Sequence, residues 1–493
     1  MNTVPKGWFV VRDSLPETAR GASGTSESPG GHELRLDLWK GDLPDRLPKD
    51  LGPVIVTDRG GAISPESGAR TSLRNRLCQR PEAWLDVDPL KDAPPVEGIP
   101  WILSRHLEED SADVVHTVIQ EARERGACAA KVVLPETTPL KRRLEVLLEA
   151  AKSDFPCVAF AMSRFNHSDR LWAMESGQPW GYLNSDNTGS TIPGLPKRSE
   201  LAQRYRWQNP GSDLNRYLIF GRDVRHSLSP DWHNRLFTEK GIAARFYPWS
   251  TDNPETDLQA WTESGFKPIQ GLAITAPHKQ WARQAGDGIH SNCELHSAWN
   301  TLVHHEGIYQ GTSTDGPGAL ALFEVSLGGR EALQGKRVAI LGRGGAAQSV
   351  ATTFAAQNME VVLHCRPGKR HESGLSEDRF TISDQPTEIA TADLLINATG
   401  SDAEDSPEWP WSLELFQGEA ALEMDYSRGE TAFEKTLKQG QGIEAWSGFD
   451  FFASQACLQA QHLYGIEVSL HTAIEMVREI RQERARDNYP VVS

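Results

Sequence analysis

Between Arg337 and His364 a strand, a glycine-rich turn, a helical stretch and a second strand follow in immediate succession. Two strands joined in this way must lie parallel, with the helix crossing over in the right-handed sense. The first strand is Arg337-Val-Ala-Ile-Leu341, the turn Gly342-Arg-Gly-Gly-Ala-Ala347, and the helical pattern runs through Gln357. Gly342, Gly344 and Ala347 match G-x-G-x-x-G/A, with Gly345 and Ala346 completing the turn. Such a turn lets backbone N–H groups at a helix start approach a pyrophosphate. Glycine-rich turns also serve plain packing, but a strand before and a helix after favour dinucleotide binding. A site for NAD would carry an acidic residue at the end of the next strand. This chain has Cys365-Arg-Pro-Gly-Lys-Arg370 there, so Arg366, Lys369 and Arg370 point to a 2′-phosphate and hence to NADP.

The same alternation extends through the N-terminal half. Short apolar runs at residues 34–38, 54–57, 84–87, 101–104, 129–134 and 157–161 read as strands, and 112–125 and 141–152 as helices between the later ones. That pattern means a parallel sheet, open or closed into a barrel. Residues 14–32 lack periodicity and read as a surface loop, and the polar segment 184–211 separates this half from the next. With 493 residues the chain has room for two or three domains. Its net charge of -16 argues against non-specific binding to nucleic acid or anionic membranes. No apolar run approaches a spanning helix, and the apolar N-terminal stretch is too short for a signal peptide. The six scattered cysteines form no Cys-x-x-Cys pair, so free thiols in a reducing cytoplasm are expected and a metal site is not.

Ahead of the βαβ unit lies His226-Ser-Leu-Ser-Pro-Asp-Trp-His-Asn234, after the apolar run Tyr217-Leu-Ile-Phe220 and a glycine. Its hydroxyl and amide groups suit a small polyhydroxy carboxylate, and it sits where a strand gives way to a loop. Further motifs follow in order: Gly271-Leu-Ala-Ile-Thr-Ala-Pro-His-Lys279, Ala298-Trp-Asn-Thr301, Gly311-Thr-Ser-Thr-Asp-Gly316, Ile396-Asn-Ala-Thr399, Tyr426-Ser-Arg-Gly-Glu-Thr431 and Gly448-Phe-Asp-Phe-Phe-Ala-Ser-Gln-Ala456. Together they resemble shikimate dehydrogenase across residues 215–485. The resemblance implies that Ser227 and Ser229 hold the substrate carboxylate. Thr275, Asn300, Asp315 and Gln455 would bind ring hydroxyls with Tyr426 nearby, and Lys279 and Asp315 would form the catalytic pair. It also places Asn397 and Thr399 beside the cofactor. A lysine next to a carboxylate suits the proton transfer that must accompany hydride transfer to a carbonyl. His278 is expected to be structural. Three departures from the family pattern, Arg222-Asp-Val, Ala273 and Ser313, bear on affinity and remove no proton-transfer group.

In the first half Lys131 lies within the apolar run Ala129-Ala-Lys-Val-Val-Leu134. A lysine on a buried strand is either an imine-forming amine or a barrel lysine paired with a carboxylate, and the strand alone leaves both open. Around it, in order at strand ends, come Glu33-Leu-Arg-Leu-Asp37, Thr57-Asp-Arg59, Asp86-Val-Asp88, Ser104-Arg-His106 and Ser168-Asp-Arg170. This set resembles type I 3-dehydroquinate dehydratase over about residues 5–205. The resemblance implies a (β/α)8 barrel in which Lys131 forms an imine and His106 moves protons. Glu33, Arg35 and Arg59 would bind ring hydroxyls and Arg170 the carboxylate. Asp88 would stand for the glutamate that orients the histidine, one methylene shorter. Leu195 in Pro193-Gly-Leu195 would replace a glutamine of the lid over the substrate.

The expected architecture is therefore α/β throughout. A barrel at 1–210 precedes a substrate-binding domain at 211–330, completed by C-terminal helices at about 455–488, and a Rossmann NADP-binding domain at 331–454. The expected activity is bifunctional, dehydration of 3-dehydroquinate followed by reduction of 3-dehydroshikimate to shikimate. The competing expectation is a working dehydrogenase carrying a degenerate barrel as a scaffold. The sequence leaves the oligomeric state and the use of quinate open.

Overall fold

The structure is a computed structural model and describes residues 4–12, 31–39, 52–59, 67–92, 95, 97–163, 167–186, 192, 194–207, 213–288, 298–365, 380–399, 413–427, 429–438 and 443–486. The chain divides into two compact units, 1–214 with 256–267, and 215–255 with 268–493.

Eight parallel strands build the first unit: β1 (Gly7–Arg12), β2 (Gly31–Arg35), β3 (Val54–Thr57), β4 (Ala83–Val87), β5 (Trp101–His106), β6 (Ala129–Leu134), β7 (Cys157–Ala161) and β8 (Trp180–Asn184). Their order is β7-β6-β5-β4-β3-β2-β1-β8, the circuit of a barrel, with no ladder between β7 and β8 among the described residues. Helices Ser67–Cys78, Val114–Glu124, Leu140–Lys152, Ser168–Glu175 and Arg198–Gln203 follow β3, β5, β6, β7 and β8. The barrel expected from the sequence is present, and among the described residues no helix leads from β4 to β5. Four prolines at 89, 94, 95 and 100 lie in that connection, and each removes a backbone donor that a helix needs. The loop expected at 14–32 falls outside the described residues except for Gly31 and His32, which open β2.

Side-chain alternation gives the barrel two faces. Leu34, Val56, Leu85, Leu103, Val132 and Ala159 point outward into a core shared with Leu73, Val118, Ile119 and Val146 of the helices. Facing inward are Phe9, Ile55, Trp84, Ile102, Ala129, Val158 and Trp180, which form an apolar floor. One register step higher the inner face turns polar, with Glu33, Thr57, Asp86, Ser104 and Lys131 all buried. That layer lies toward the C-terminal ends of the strands, where a parallel barrel places its chemistry.

The segment read as a separator, 184–211, is tied to the barrel instead. Asn184 donates to the carbonyls of Ile192 and Leu195, and its own backbone bridges Lys197. Residues 256–267 also pack in this unit, although they fall within the stretch expected to form the second domain. Trp261 meets Trp172 edge-on with ring centroids 4.7 Å apart, and Lys141 reaches Glu263 at 2.8 Å. Burying two indoles outweighs continuity along the chain.

The second unit holds two sheets. The first comprises β9 (Asn215–Gly221), β10 (Ala244–Ser250), β11 (Gly271–Ile274), β12 (Asp287–Gly288), β13 (Thr301–His305) and β14 (Ile308–Thr312). They are ordered β10-β9-β11-β13-β14-β12, parallel at one edge and antiparallel where β13 and β14 form a hairpin. The second comprises β15 (Arg337–Leu341), β16 (Glu360–His364), β17 (Thr381–Ser383), β18 (Leu394–Asn397), β19 (Ala420–Glu423) and β20 (Glu444–Trp446). Its order β17-β16-β15-β18-β19-β20, parallel throughout, is the doubly wound arrangement whose switch point lies between β15 and β18. Helices Gly448–Tyr464 and Leu470–Arg486 return to the first sheet, where Phe452, Ala456, Met476 and Ile480 pack on Leu228, Trp232 and Leu236. Ser447 and Asp450 form a reciprocal cap at the start of the first of these helices, which fixes where it begins.

Candidate functional site

Two constellations emerge, one in each unit. In the barrel, Lys131 is 6% exposed, and its Nζ donates to Asp86 Oδ2 at 2.7 Å and lies 3.8 Å from Glu33 Oε1. The Tyr182 ring covers it, with Nζ 4.4 Å from the ring centroid. Asp86 is the hub: its second oxygen accepts from Arg59, which also reaches Asp92 and, at 3.1 Å, Ser104 Oγ. Burial alone would raise the Asp86 pKa, yet Arg59 and Lys131 hold it well below the usual carboxylate range. Lys131 is thus a buried amine paired with a carboxylate, as the second of the two sequence readings has it.

His106 ends β5 and its side chain reaches solvent. Partial desolvation of the ring and the nearby cations Lys131 and Arg59 push its pKa down, which favours the neutral imidazole. Asp88 does not orient it. That carboxylate accepts from Arg105 Nη1 at 2.6 Å and from the Leu90 N–H at 3.1 Å, while Arg105 also grips Glu121. The shorter side chain is captured by the neighbouring arginine, which correlates with β5 register placing Arg105 on the outer face.

Arg170 is 7% exposed and stacks over Phe160, its guanidinium carbon 4.0 Å from the ring centroid. Its Nε is buried without a hydrogen-bond partner, and desolvation lowers its pKa to about 10, so it stays charged at neutral pH. A buried cation with spare donors is suited to a carboxylate ligand. Glu33 accepts from Thr57 Oγ1 at 2.8 Å, and Arg35 is paired with Asp37 at 2.6 and 2.9 Å. Leu195, expected over the substrate, is buried in the inner core with Trp84, Phe160 and Tyr182. An apolar side chain gains more there than at a wet mouth, so this residue leaves the site.

In the second unit a cleft of about 670 Å³ is lined by Ser229, Thr275, Lys279, Asn300, Asp315, Tyr426 and Gln455 among others. Lys279 opens the helix Lys279–Ala285, Asp315 opens Asp315–Ser326, and Nζ meets Asp315 Oδ2 at 2.5 Å. Asn300 Nδ2 donates to Asp315 Oδ1 at 2.8 Å and to Thr314 Oγ1 at 2.9 Å, and its Oδ1 accepts from the Thr314 N–H. Gln459, which the motifs did not single out, donates to the Asn300 carbonyl and to Thr301 Oγ1. The carboxylate is therefore aimed from both oxygens.

The stretch 226–234 is only in part a loop, because a helix begins at Ser229 and runs to Lys240. Ser229 lines the cleft. Ser227 accepts from the Ser229 N–H at 3.1 Å and hydrogen-bonds Tyr426, whose pKa is raised by burial. His233 and Asn234 turn away: the histidine bonds Tyr464 and the amide pairs with both backbone groups of Phe246. His278 is structural as expected, bonded to the Thr251 carbonyl.

The glycine turn borders the same cleft through Gly344, Gly345 and Ala346. Gly342 has φ of 103°, a conformation that L side chains rarely adopt. A Cβ on Gly345 would stand 2.9 Å from Ala298 Cβ and 3.7 Å from Lys279 Cβ, so a bare turn is what lets this backbone lie against the lysine-bearing segment. Ala347 is fully buried against the sheet, and Thr399 lines the cleft while bonding Asn397. Asn397 is itself buried and spans to Glu423, so it shapes the cofactor edge from behind. Arg366, Lys369 and Arg370 lie outside the described residues.

Residues 219–302 match the family model described as the shikimate dehydrogenase substrate binding domain. The chain is 30% identical to the NADP-dependent shikimate dehydrogenase of Xanthomonas oryzae over 258 residues, covering 49% of this chain and 88% of that enzyme. It is 23% identical over 371 residues to the chloroplastic bifunctional 3-dehydroquinate dehydratase/shikimate dehydrogenase of Arabidopsis thaliana, covering 69% of this chain and 60% of that enzyme. Among solved structures, shikimate 5-dehydrogenase of Thermus thermophilus in complex with NADP(H) and shikimate aligns with a TM-score of 0.46 at 27% identity, covering 54% of this chain and all of that one.

Proposed function

The chain belongs to the shikimate dehydrogenase family, and on that premise we propose that its second unit reduces 3-dehydroshikimate to shikimate with NADPH. We propose further that its barrel forms 3-dehydroshikimate from 3-dehydroquinate. The observation that carries the first activity is the Lys279–Asp315–Asn300 chain of hydrogen bonds at the edge of the glycine turn. For the second it is Lys131 bonded to Asp86 under the Tyr182 ring, with Arg170 buried and its Nε short of a partner.

In the cleft, the Gly342–Gly344 turn and Thr399 fit a pyrophosphate, and a nicotinamide held there would supply a hydride to C3 of the substrate. Lys279 donates a proton to the C3 oxygen as charge develops on it, and Asp315 holds the ammonium at the angle the transfer needs. Asn300 fixes Asp315 in turn. Ser229 and Ser227 offer hydroxyls to the carboxylate at the far end of the ring. The basic residues 366, 369 and 370 would meet the 2′-phosphate.

In the barrel, Lys131 must lose a proton to water before its nitrogen attacks the C3 ketone, and Asp86 Oδ2, kept anionic by the cations around it, holds the amine in place. Loss of water from the adduct gives the imine, an electron sink that acidifies the C2 hydrogens. His106 removes one of them, and the electron pair expels the C1 hydroxyl, which leaves as water after His106 returns the proton. Hydrolysis of the imine frees 3-dehydroshikimate and restores the lysine. Arg170 would hold the carboxylate through the donors it does not use internally.

One observation supports the other reading, a dehydrogenase with a catalytically silent barrel. His106 lacks an orienting carboxylate from Asp88, which Arg105 holds instead. Borohydride added with 3-dehydroquinate separates the two: a reduced adduct on Lys131 by mass spectrometry is expected. Absence of the adduct alongside normal reduction of 3-dehydroshikimate would select the silent barrel. For the cofactor, Arg366→Asp should weaken NADPH much more than NADH, and equal losses would overturn the 2′-phosphate assignment. Five described cysteines are unpaired, which supports a reducing compartment such as the cytoplasm. Among the described residues no helix is long and apolar enough to cross a membrane.

A further inference from the structure

Arg484 lies near the end of the last described helix, far in sequence from every motif of the cleft, yet it is only 3% exposed. Its guanidinium donates to Asp231 through Nε at 3.2 Å and Nη2 at 2.6 Å. The same fork donates to the carbonyl of His226 at 3.1 Å and to that of Ser227 at 2.9 Å. Those two carbonyls belong to the short stretch between β9 and the helix Ser229–Lys240, where no ladder or helix fixes the peptide planes. Their orientation determines where the Ser227 and Ser229 hydroxyls point. Asp231 sits in the first turn of that helix, is 5% exposed, and ties the same guanidinium to the helix start.

We propose that Arg484 is a positioning residue for the substrate carboxylate, a clamp that sets the serine-bearing turn from behind. The inference rests on the reading of this cleft as a 3-dehydroshikimate site. A planar fork with several donors can satisfy one carboxylate and two divergent carbonyls together, whereas a lysine ammonium cannot hold the same set at fixed angles. Tyr426 closes the arrangement, since its hydroxyl bonds Ser227 while its ring meets Phe452 edge-on at 5.2 Å. The clamp touches neither Lys279 nor Asp315, so its loss should spare the proton transfer.

The test compares steady-state kinetics of the full chain with two variants. Asp231→Asn combined with Arg484→Met removes the clamp without stranding a buried carboxylate, and Arg484→Lys keeps the charge but not the fork. In both, KM for 3-dehydroshikimate should rise, about ten-fold or more in the double variant and less in Arg484→Lys, while kcat and KM for NADPH stay within roughly three-fold. Unchanged substrate KM in both variants would overturn the inference, as would a parallel loss in kcat and in both KM values. If the unmutated chain does not reduce 3-dehydroshikimate at all, the reading of the cleft fails and takes the clamp with it. Turnover by the unmutated chain with indifferent variants sinks the clamp alone.

Discussion

Each unit pairs a lysine with a buried aspartate, and the two aspartates are held differently. In the cleft, Asp315 is braced on its other oxygen by the neutral amide of Asn300, so Lys279 faces a fixed, singly committed carboxylate. In the barrel, Asp86 is shared between Lys131 and Arg59, two cations on one carboxylate. On the proposed reading, the proton donor Lys279 has a carboxylate braced by an amide, whereas the nucleophile Lys131 shares its carboxylate with an arginine and also faces Glu33 at 3.8 Å. The difference lies in what else the aspartate must satisfy.

The most drastic way to break this comparison is to remove each lysine. Lys131→Met should abolish dehydration and the borohydride adduct and leave reduction of 3-dehydroshikimate untouched. Lys279→Met should do the reverse, lowering kcat of reduction roughly 10²–10⁴-fold, since the nicotinamide can still approach but the proton donor is gone. Loss of both activities in either variant would mean that the lysines are structural. Separate assays for the two reactions decide it.

A smaller effect tests the shared carboxylate. Asp86→Asn takes the closest carboxylate from the buried Lys131 and leaves Arg59 with Asp92 and Ser104, so the loss should fall at or below the low end of the about 3–5 kcal/mol seen for fully buried pairs. Asp86 has a folded pKa below its unfolded value, so its contribution is present above the unfolded value of about 3.9 and is lost as pH falls toward the folded one. Urea unfolding between pH 3 and 7 should show stability of the unmutated chain dropping at the acid end, with a shallower drop in Asp86→Asn. Identical slopes would show that the carboxylate does not carry this linkage.

The smallest expected effect sharpens the cleft. Gly345→Ala places a methyl 2.9 Å from Ala298 Cβ, and overpacking of this kind typically costs about 1–3 kcal/mol. The cost should appear as weaker NADPH binding by titration, with the barrel activity unchanged. Unaltered cofactor affinity would place the dinucleotide away from this turn.

How much of this was legible in the sequence depended on how local the cause was. Strands β3, β6, β7 and β16 fall on the apolar runs, because a parallel strand buried on both faces is written in consecutive residues. The glycine turn was equally plain. Roles fixed by a partner distant in sequence were not: Arg484 reads as one more charge on a polar helix until His226 and Asp231 arrive beside it. Asp88 misled because chemical type suggested a partner for His106, while geometry gave it to Arg105 next door. Asp86 could have been found, since counting by twos from Trp84 puts it on the inner face two strands from Lys131.

The apolar floor of the barrel has a consequence for traffic. Among the described residues, Phe9, Ile55, Trp84 and Trp180 fill the end opposite the polar layer with apolar side chains. If the barrel dehydrates 3-dehydroquinate as proposed, substrate on its way in and the product and water on their way out share the polar end, past the Tyr182 ring that covers the lysine.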